Sequence, residues 1–144
     1  MSKLWNSDDE LYSMAERELS TCVVGDVMDK IGLQKQFLPP QIQPLQREML
    51  VIGRAMPVLS VDVFAERTRY KVVDFRLPIE IGQVRVRPGD ILFGDVDGVL
   101  LVPVEAEDEV FTRALEKARG EKLAKRAIEE GSSAVEIFKK FGIM

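Results

Sequence analysis

The sequence has no histidine among its 144 residues, and this absence narrows the chemistry open to the protein. Without an imidazole group, the chain cannot form a Ser-His or Cys-His nucleophile pair, use histidine as an acid or base, or build most kinds of zinc site. Any catalysis must rely on carboxylates, lysine, arginine, backbone amides or a hard metal ion. Such an ion would be Mg²⁺ or Mn²⁺ held by oxygen ligands.

Cysteine and long apolar runs are also scarce. Cys22 is the only cysteine, so no disulfide can form within the chain, which is typical of proteins in a reducing compartment. No stretch approaches a charge-free membrane span of about 20 residues, and the N-terminal residues lack the apolar segment of a signal peptide. We therefore expect a cytoplasmic protein without a membrane partner.

The charges are balanced in sign and dispersed along the chain. There are 20 Lys and Arg residues against 24 Asp and Glu residues, a net charge of −4, and the two signs alternate. This pattern offers no basic stripe for a phosphate backbone, so direct nucleic-acid binding is not expected. With 46% hydrophobic residues, the length suits one domain with a single core over residues 1–144.

Helix signals occur towards both ends of the sequence. Hydroxyl and acidic residues at 7–9 can cap a first helix, and a second is predicted at about 21–31, where Ser20 or Thr21 can cap it. A third amphipathic helix is predicted at 105–131, with a kink at Gly120. The sequence also predicts a last helix over 134–141, capped by Ser132 or Ser133.

Between these helices the sequence predicts β structure. The proline-containing stretch 33–49 is interpreted as an ordered loop. The β-branched run 51–59 predicts a largely buried strand with an edge or bend at Pro57, and the polar stretch 65–70 is an abrupt connection to the next strand. Further strands are predicted at 72–75, 79–81, 84–86, 91–93 and 99–102, with Asp97-Gly98 as the hairpin turn between the last two.

Segment 87–98 is the first candidate for chemistry. It contains three acidic residues, Asp90, Asp95 and Asp97, which together could form a metal or phosphate loop. However, it lacks the spacing of a calcium loop or a P-loop. A structural role is favoured, in which the glycines of the segment serve turns and Asp90 and Asp97 make local turn hydrogen bonds.

The predicted second and third helices carry the remaining candidates. Asp26 and Asp29 are three residues apart, so they lie towards one side of the helix and could bind a cation or a substrate group, although solvated charges without function are more common. Cys22 lies near a helix start, where a thiol pKa can be lowered, but without a second cysteine or a histidine it is interpreted as a small packed residue. Glu121 lies among basic residues, which by itself predicts only weak surface ion pairs.

Two blocks of sequence go beyond these general patterns. The first spans 20–32, and the second spans 77–103 and includes Pro88-Gly89-Asp90 and Asp97-Gly98-Val99. Both resemble blocks of the RraA-like proteins, the family of 4-hydroxy-4-methyl-2-oxoglutarate aldolases that also contains the regulators of ribonuclease activity. Gly53-Arg54-Ala55 resembles the strand between the two blocks, and the C-terminal helices are similar as well.

The resemblance implies an α/β fold of the layered αββα type, a swivelling β/β/α-like domain. In relatives, several tens of residues separate the strands that match 51–63 and 71–75, whereas residues 65–70 join them here. An internal deletion is therefore implied, with an N-terminal part, 1–66, and a C-terminal part, 67–144. Because the central βα units are missing, we expect the fold to be incomplete.

The family's chemistry is that of a class II pyruvate aldolase. The resemblance implies a divalent metal, Mg²⁺ or Mn²⁺, a small 2-oxo acid as substrate, and oxaloacetate decarboxylase activity alongside aldol cleavage. In that chemistry the metal and an arginine hold the 2-oxo acid while the metal stabilises the enolate. The family's glycine-rich turn and Arg-Asp pair are absent from this sequence. Glu66, Arg67 and Arg69 lie near the join but outside that motif, so no catalytic or metal-binding role is assigned to them.

One family role can be carried over, to Glu121, which matches a glutamate that a neighbouring subunit contributes to the active site. Relatives form trimers or dimers of trimers, so the resemblance implies a homo-oligomer. Three hypotheses follow. The chain is an aldolase and decarboxylase family member with low or no activity, a non-catalytic regulator that binds a ribonuclease, or a structural remnant of the deletion.

Overall fold

The structure is a computed structural model, and it describes residues 3–65, 68–131 and 133. The elements run in the order α1 (Asp8–Glu18), α2 (Thr21–Lys30), β1 (Val51–Arg54), β2 (Val58–Ala65), β3 (Thr68–Phe75), β4 (Ile79–Ile81), β5 (Val84–Val86), β6 (Ile91–Asp95), β7 (Gly98–Val102) and α3 (Glu107–Glu129). The last predicted helix, over 134–141, and its alternative cap Ser132 lie outside the described residues.

The helices begin close to the predicted positions. Ser7 is the N-cap of α1, and its hydroxyl oxygen accepts a hydrogen bond from the Glu10 N–H at 3.3 Å. α2 agrees with the prediction to within one residue at its end. α3 continues through Gly120 without a break in the helix, and Gly131 follows its end with a φ of +97°.

A three-stranded antiparallel sheet forms the centre of the fold, with β6 lying between β1 and β7. Phe93 of β6 pairs with Ile52 on one side and with Leu100 on the other. One face of this sheet packs against the three helices and forms the main core. That core consists of Trp5, Leu11, Ala15, Leu19, Val24, Val27, Met28, Ile91, Phe93, Leu100, Val102, Val110, Phe111, Ala114, Leu115 and Ala118.

The opposite face of the sheet carries a second, smaller apolar cluster. Leu101 alternates with Leu100 and Val102 along β7, so it points away from the helices. Val84 and Val86 of the β4–β5 hairpin pack with it. The fold is therefore mixed α/β, with a helical layer, a central sheet and a short hairpin beyond it.

The ordered loop before β1 is fixed against this second layer. The Leu38 N–H donates to the Val99 carbonyl at 2.8 Å, and the Leu101 N–H donates to the Gln36 carbonyl at 2.8 Å. Gly82, in the β4–β5 turn, has a φ of +65°, and a Cβ there would lie 2.5 Å from the Pro39 ring. The proline-containing stretch is thus ordered by main-chain bonds, as predicted.

The run 51–59 was predicted to be largely buried, and this prediction is wrong. Val51 is 47% exposed, and Val58 and Leu59 are 40% and 41% exposed. The reason lies in the topology: β1 is an edge strand of the central sheet, and Pro57 separates it from β2, which leaves that sheet to pair only with β3. Pro57, predicted to mark an edge or a bend, lies in the interruption between β1 and β2, and no described element covers the two-stranded ribbon that follows it.

The length and apolar character of the helices were compared with what a membrane-spanning helix needs. Across residues 3–65, 68–131 and 133, no helix combines the length and the apolar character needed to cross a bilayer.

Candidate functional site

Glu121, the residue singled out by the family resemblance, lies on α3 next to a lysine that contacts two carboxylates. The Lys117 ammonium lies 3.2 Å from the Glu121 carboxylate, one helical turn away, and 2.5 Å from the carboxylate of Asp26 on α2. The structure thus brings two of the candidate residues together around a cation that sequence reasoning missed. Asp29, on the same helix as Asp26, is exposed and has no ion pair in the described part of the chain.

Lys117 is electrostatically held in its charged form. Burial alone would lower the pKa of Lys117, but the hydrogen bonds and charges of Asp26 and Glu121 outweigh it and raise that pKa. A lysine in this state donates hydrogen bonds and fixes two carboxylates, and it is a poor base or nucleophile at neutral pH. The i to i+4 spacing of Lys117 and Glu121 was visible in the sequence, whereas the Asp26 contact spans 91 positions and was not.

Shallow grooves flank this cluster on both sides. One, of 290 Å³, is lined by Val27, Lys30, Arg113, Glu116 and Lys117. The other, of 330 Å³, brings Glu121 close to Ser20 and Val23 at the start of α2. Since Glu121 lies at a surface groove, its carboxylate is placed where a neighbouring molecule can reach it.

The acidic residues of segment 87–98 do not form one cluster: Asp90 and Asp95 make contacts in different parts of the fold. Asp90 is fully buried, where its carboxylate accepts from the backbone N–H of Arg87 at 2.8 Å and of Val104 at 3.0 Å. Asp95 accepts from the backbone N–H of Thr21 at 2.8 Å and from its hydroxyl at 2.6 Å. The structural interpretation of Asp90 is confirmed, and Asp95 supplies the cap that had been expected from Ser20 or Thr21.

Cys22 and Asp97 meet beside this cap, at the first turn of α2. The Cys22 thiol donates to the Asp97 carboxylate at 3.3 Å, and that hydrogen bond is the largest cause of a raised Cys22 pKa, followed by burial and the charges of Asp95 and Asp97. The interpretation of Cys22 as a packed residue is wrong, because its side chain is exposed. The neighbouring carboxylates also keep the thiol protonated, which disfavours nucleophilic chemistry. The predicted turn hydrogen bond is made by Asp95, whose carboxylate accepts from the Asp97 N–H at 2.9 Å.

The largest ion-pair cluster of the described chain surrounds Arg54, and it too was not expected from the sequence. Arg54 donates two hydrogen bonds to Asp8, at 2.6 and 2.9 Å, contacts the Glu107 carboxylate, and donates to the Gly89 carbonyl at 3.0 Å. The Asp8 and Glu107 carboxylates raise the Arg54 pKa, and Arg54 in turn lowers that of Asp8. The guanidinium therefore ties α1, β1 and α3 together and is not free to bind a substrate carboxylate.

The described side chains do not fit the divalent metal that the family resemblance implies. Among residues 3–65, 68–131 and 133, no group of three or more Cys, Asp or Glu side chains is arranged to hold a metal ion. Three of the candidate carboxylates make contacts within the fold: Asp26 with Lys117, Asp95 with Thr21, and Asp90 with backbone amides. Glu66 and Arg67 lie outside the described residues, and Arg69 is placed only by its backbone in β3.

Comparison with known proteins gives a match to the RraA-like family (Aldolase/RraA) over residues 56–101. A putative 4-hydroxy-4-methyl-2-oxoglutarate aldolase from Halalkalibacterium halodurans is 30% identical over 91 residues. That match includes 59% of this chain but 43% of the relative, so the chain spans less than half the length of this curated protein.

Two solved structures share the fold. An uncharacterised protein from Pseudomonas syringae aligns with a TM-score of 0.74 and 16% identity, covering 92% of this chain and 98% of that one. RraAS2 from Streptomyces coelicolor, described as an unusual member of the RNase ES inhibitor RraA protein family, aligns with a TM-score of 0.67 and 14% identity, covering 85% and 100%. At these identities the likeness shows the fold alone.

Together the layers, the hairpin block and these likenesses define the class as an α/β protein of RraA type. In sequence, residues 56–101 match the RraA-like family, which includes both aldolases and ribonuclease regulators.

Proposed function

We propose that this chain is an RraA-like protein of the class II pyruvate aldolase and oxaloacetate decarboxylase lineage, with weak or no catalytic activity of its own. The observation that carries the proposal is the direct pairing of β2 with β3. Ala65 pairs with Thr68, so only residues 66 and 67 connect the two strands. The family places a glycine-rich turn, a βα unit and an Arg-Asp pair between the corresponding strands, and this connection has no room for them. The proposal therefore includes an internal deletion of the active-site segment.

Two cations described above, Arg54 and Lys117, are already engaged in ion pairs. A 2-oxo acid needs a free cationic donor for its carboxylate and a group that stabilises the developing enolate. Arg54 is held by Asp8 and Glu107, and Lys117 is held by Asp26 and Glu121. Each of these cations would have to break its ion pairs before it could bind a substrate.

Under this proposal, Glu121 is a retained family position whose active-site partner is no longer present. It lies at a surface groove of α3, as a residue contributed to a neighbouring subunit must. Its role in this chain is then an i to i+4 ion pair with Lys117, worth roughly 0.3–0.5 kcal/mol at an exposed helix position.

The test is pyruvate release by the purified chain. The substrates are 4-hydroxy-4-methyl-2-oxoglutarate and, separately, oxaloacetate, each with Mg²⁺ or Mn²⁺ and with or without a chelator. Protein-free reactions with the same metal measure spontaneous oxaloacetate decarboxylation. We expect the rate with protein to equal that background.

A chelator-sensitive rate above background contradicts the inactivity, and its loss in Glu121→Gln would then assign that carboxylate to the reaction. If the chain is folded but shows no turnover, the second hypothesis, a non-catalytic regulator, is tested directly with a purified ribonuclease. In that experiment, capture of the ribonuclease and a change in its cleavage rate are the two signals to measure.

A further inference from the structure

A groove of 340 Å³ lies where the loop before β1 meets the β4–β5 hairpin, and basic side chains dominate its charged lining. Among the described residues, three cations line it, Lys35, Arg85 and Arg87, together with one carboxylate, that of Asp90. The whole chain has a net charge of −4, so the groove reverses the sign of the molecule locally. A concave surface that carries one sign of charge concentrates ligands of the opposite sign.

Two of these cations have no ion pair in the described part of the chain. Arg87 lies 2.6 Å from Glu105 and 3.6 Å from Asp90, so its charge is already matched. The Asp90 carboxylate also accepts hydrogen bonds from two backbone N–H groups and is satisfied within the fold. Lys35 and Arg85 are exposed and take part in none of the ion pairs of the described residues. The groove therefore offers two uncompensated positive charges.

Both uncompensated cations stand on main chain that the fold holds in place. Lys35 has a φ of +60°, which a lysine rarely adopts, and the next carbonyl, of Gln36, accepts from the Leu101 N–H at 2.8 Å. Arg85 is the middle residue of β5 and lies opposite Glu80 of β4, yet these two side chains form no ion pair within the described chain. Because the loop and the hairpin are already ordered, little conformational entropy is lost when a ligand binds.

Three glutamine side chains complete the polar lining of the groove, Gln34, Gln36 and Gln83. The Gln36 amide donates to the Gln34 carbonyl at 3.4 Å, whereas the side-chain amides of Gln34 and Gln83 make no hydrogen bond with other described residues. A side-chain amide offers both a donor and an acceptor, and a hydroxyl group does the same. The groove thus combines cations that suit a dianion with amides that suit hydroxyl groups.

We propose that this groove binds a small phosphate monoester with a hydroxyl-bearing body, such as a sugar phosphate. A phosphate monoester carries a charge of roughly −1.5 to −2 at pH 7, which matches the two uncompensated cations. Arg85 can hold two phosphate oxygens through its planar guanidinium, and Lys35 adds a compact charge. The volume of 340 Å³ is at the lower end of the range for small-molecule sites, about 300–1,000 Å³, and suits one sugar ring. The proposal is independent of the proposed function, because it requires neither turnover nor a metal.

The test is a titration of the isotope-labelled full chain with glucose 6-phosphate, followed by backbone amide chemical shifts at constant ionic strength and without added metal. We expect saturable shifts at the residues of the groove. Inorganic phosphate tests the charge alone and should bind about tenfold more weakly, since it lacks the hydroxyl contacts to the glutamines. Glucose alone should give no saturable shift. The proposal is overturned if glucose 6-phosphate gives no saturable shifts, or binds no more tightly than inorganic phosphate.

Two charge-removing variants assign the binding to this groove. Lys35→Asn keeps the loop, because asparagine tolerates a positive φ, and Arg85→Gln removes the second charge from an exposed position of the hairpin. Each should weaken glucose 6-phosphate binding about tenfold. Lys30→Gln is the matched control, since Lys30 is exposed, lines a separate groove of 290 Å³ and has no ion pair in the described chain. Its affinity should equal that of the parent.

A third variant separates the two halves of the site. Gln83→Ala should weaken the binding of glucose 6-phosphate and leave that of inorganic phosphate unchanged. Thermal unfolding checks that each variant is folded, and Lys35→Asn decides the result if Arg85→Gln does not fold. Equal affinities for the parent, Lys35→Asn and Lys30→Gln would place the ligand elsewhere and refute the site.

Discussion

Asp95, at the end of β6, holds the first turn of α2 through Thr21, whose backbone N–H and hydroxyl donate to the two carboxylate oxygens at 2.8 and 2.6 Å. The position of Asp95 is equivalent to a side-chain N-cap, except that the carboxylate comes from a strand 74 positions away. Because Thr21 is fully buried, this contact adds a hydrogen-bonded link between α2 and the sheet to their packing in the main core.

Loss of this carboxylate should destabilise the fold. Asp95→Ala leaves the Thr21 hydroxyl and N–H without an acceptor, and we expect the free energy of unfolding to fall by about 1–3 kcal/mol. Urea denaturation followed by circular dichroism measures the change. Asp97→Ala removes an exposed carboxylate two residues away and serves as the control, with a much smaller effect expected. Equal losses in the two variants would show that Asp95 has no special role as a cap.

Replacing Arg54, which links α1, β1 and α3, should also lower the free energy of unfolding. Arg54→Met leaves Glu107, which is 8% exposed, with only Lys3 at 3.9 Å as a cationic neighbour. Since Arg54 itself is 31% exposed, the expected loss is about 1–3 kcal/mol, below that of a fully buried pair.

The matched control for Arg54 is Arg113→Met. Arg113 pairs with Glu109 at an exposed position of α3, so its removal should change the free energy of unfolding very little. The same urea titration compares the two variants. A loss for Arg113→Met as large as that for Arg54→Met would contradict the central role given to the Arg54 cluster.

The contribution of Glu18 should depend on pH. Hydrogen bonds from Arg119 and then Arg17 lower the pKa of Glu18 from its ordinary 4.5 to about 2. Because the folded-state pKa is lowered, the stabilisation is fully present above about pH 4.5 and is lost as the pH falls towards 2. The difference in unfolding free energy between the parent and Glu18→Gln should therefore be larger at pH 7 than at pH 3.

The charge-matched control is Glu16→Gln, which removes one carboxylate from the same helix at an exposed position without an ion pair in the described part of the chain. Comparing the two variants at both pH values separates the Glu18 ion pairs from the general effect of net charge. A pH-independent difference between the parent and Glu18→Gln would refute the proposed linkage.

Two glycines of positive φ should respond differently to alanine. In both Gly82→Ala and Gly32→Ala, the alanine must adopt a left-handed backbone conformation, which costs roughly 1–2 kcal/mol. Only at Gly82 does the new Cβ also contact the Pro39 ring, at 2.5 Å. At Gly32 nothing lies within 4 Å. Thermal unfolding should therefore show a larger loss for Gly82→Ala. An equal loss would mean that the Pro39 contact does not hold the loop to the β4–β5 hairpin.

The elements that the sequence predicted correctly are those with local signals. Ser7 caps α1 by accepting a hydrogen bond from the Glu10 N–H, three residues further along the chain. Asp97-Gly98 forms the turn between β6 and β7. The structural interpretation of Asp90 was also correct, because its carboxylate accepts a hydrogen bond from the Arg87 N–H, three residues away in the same turn.

The features that the sequence did not predict correctly depend on tertiary contacts. The β-branched run at 51–59 has the composition of a buried strand, but burial depends on what packs against it, and the topology leaves β2 in an uncovered ribbon. The contact between Lys117 and Asp26 joins residues 91 positions apart, so no local pattern could identify it. The family role carried to Glu121 remains a prediction.

The central proposal is that this chain has an RraA-like fold without a catalytic metal site. Titration of the purified chain with Mn²⁺, followed by the electron paramagnetic resonance signal of the free ion, tests it directly, because bound Mn²⁺ loses that signal whether or not a substrate turns over. The account predicts no saturable site, with the signal rising in proportion to added Mn²⁺ as in a protein-free solution. One saturable Mn²⁺ per chain, displaced by Mg²⁺, would contradict it.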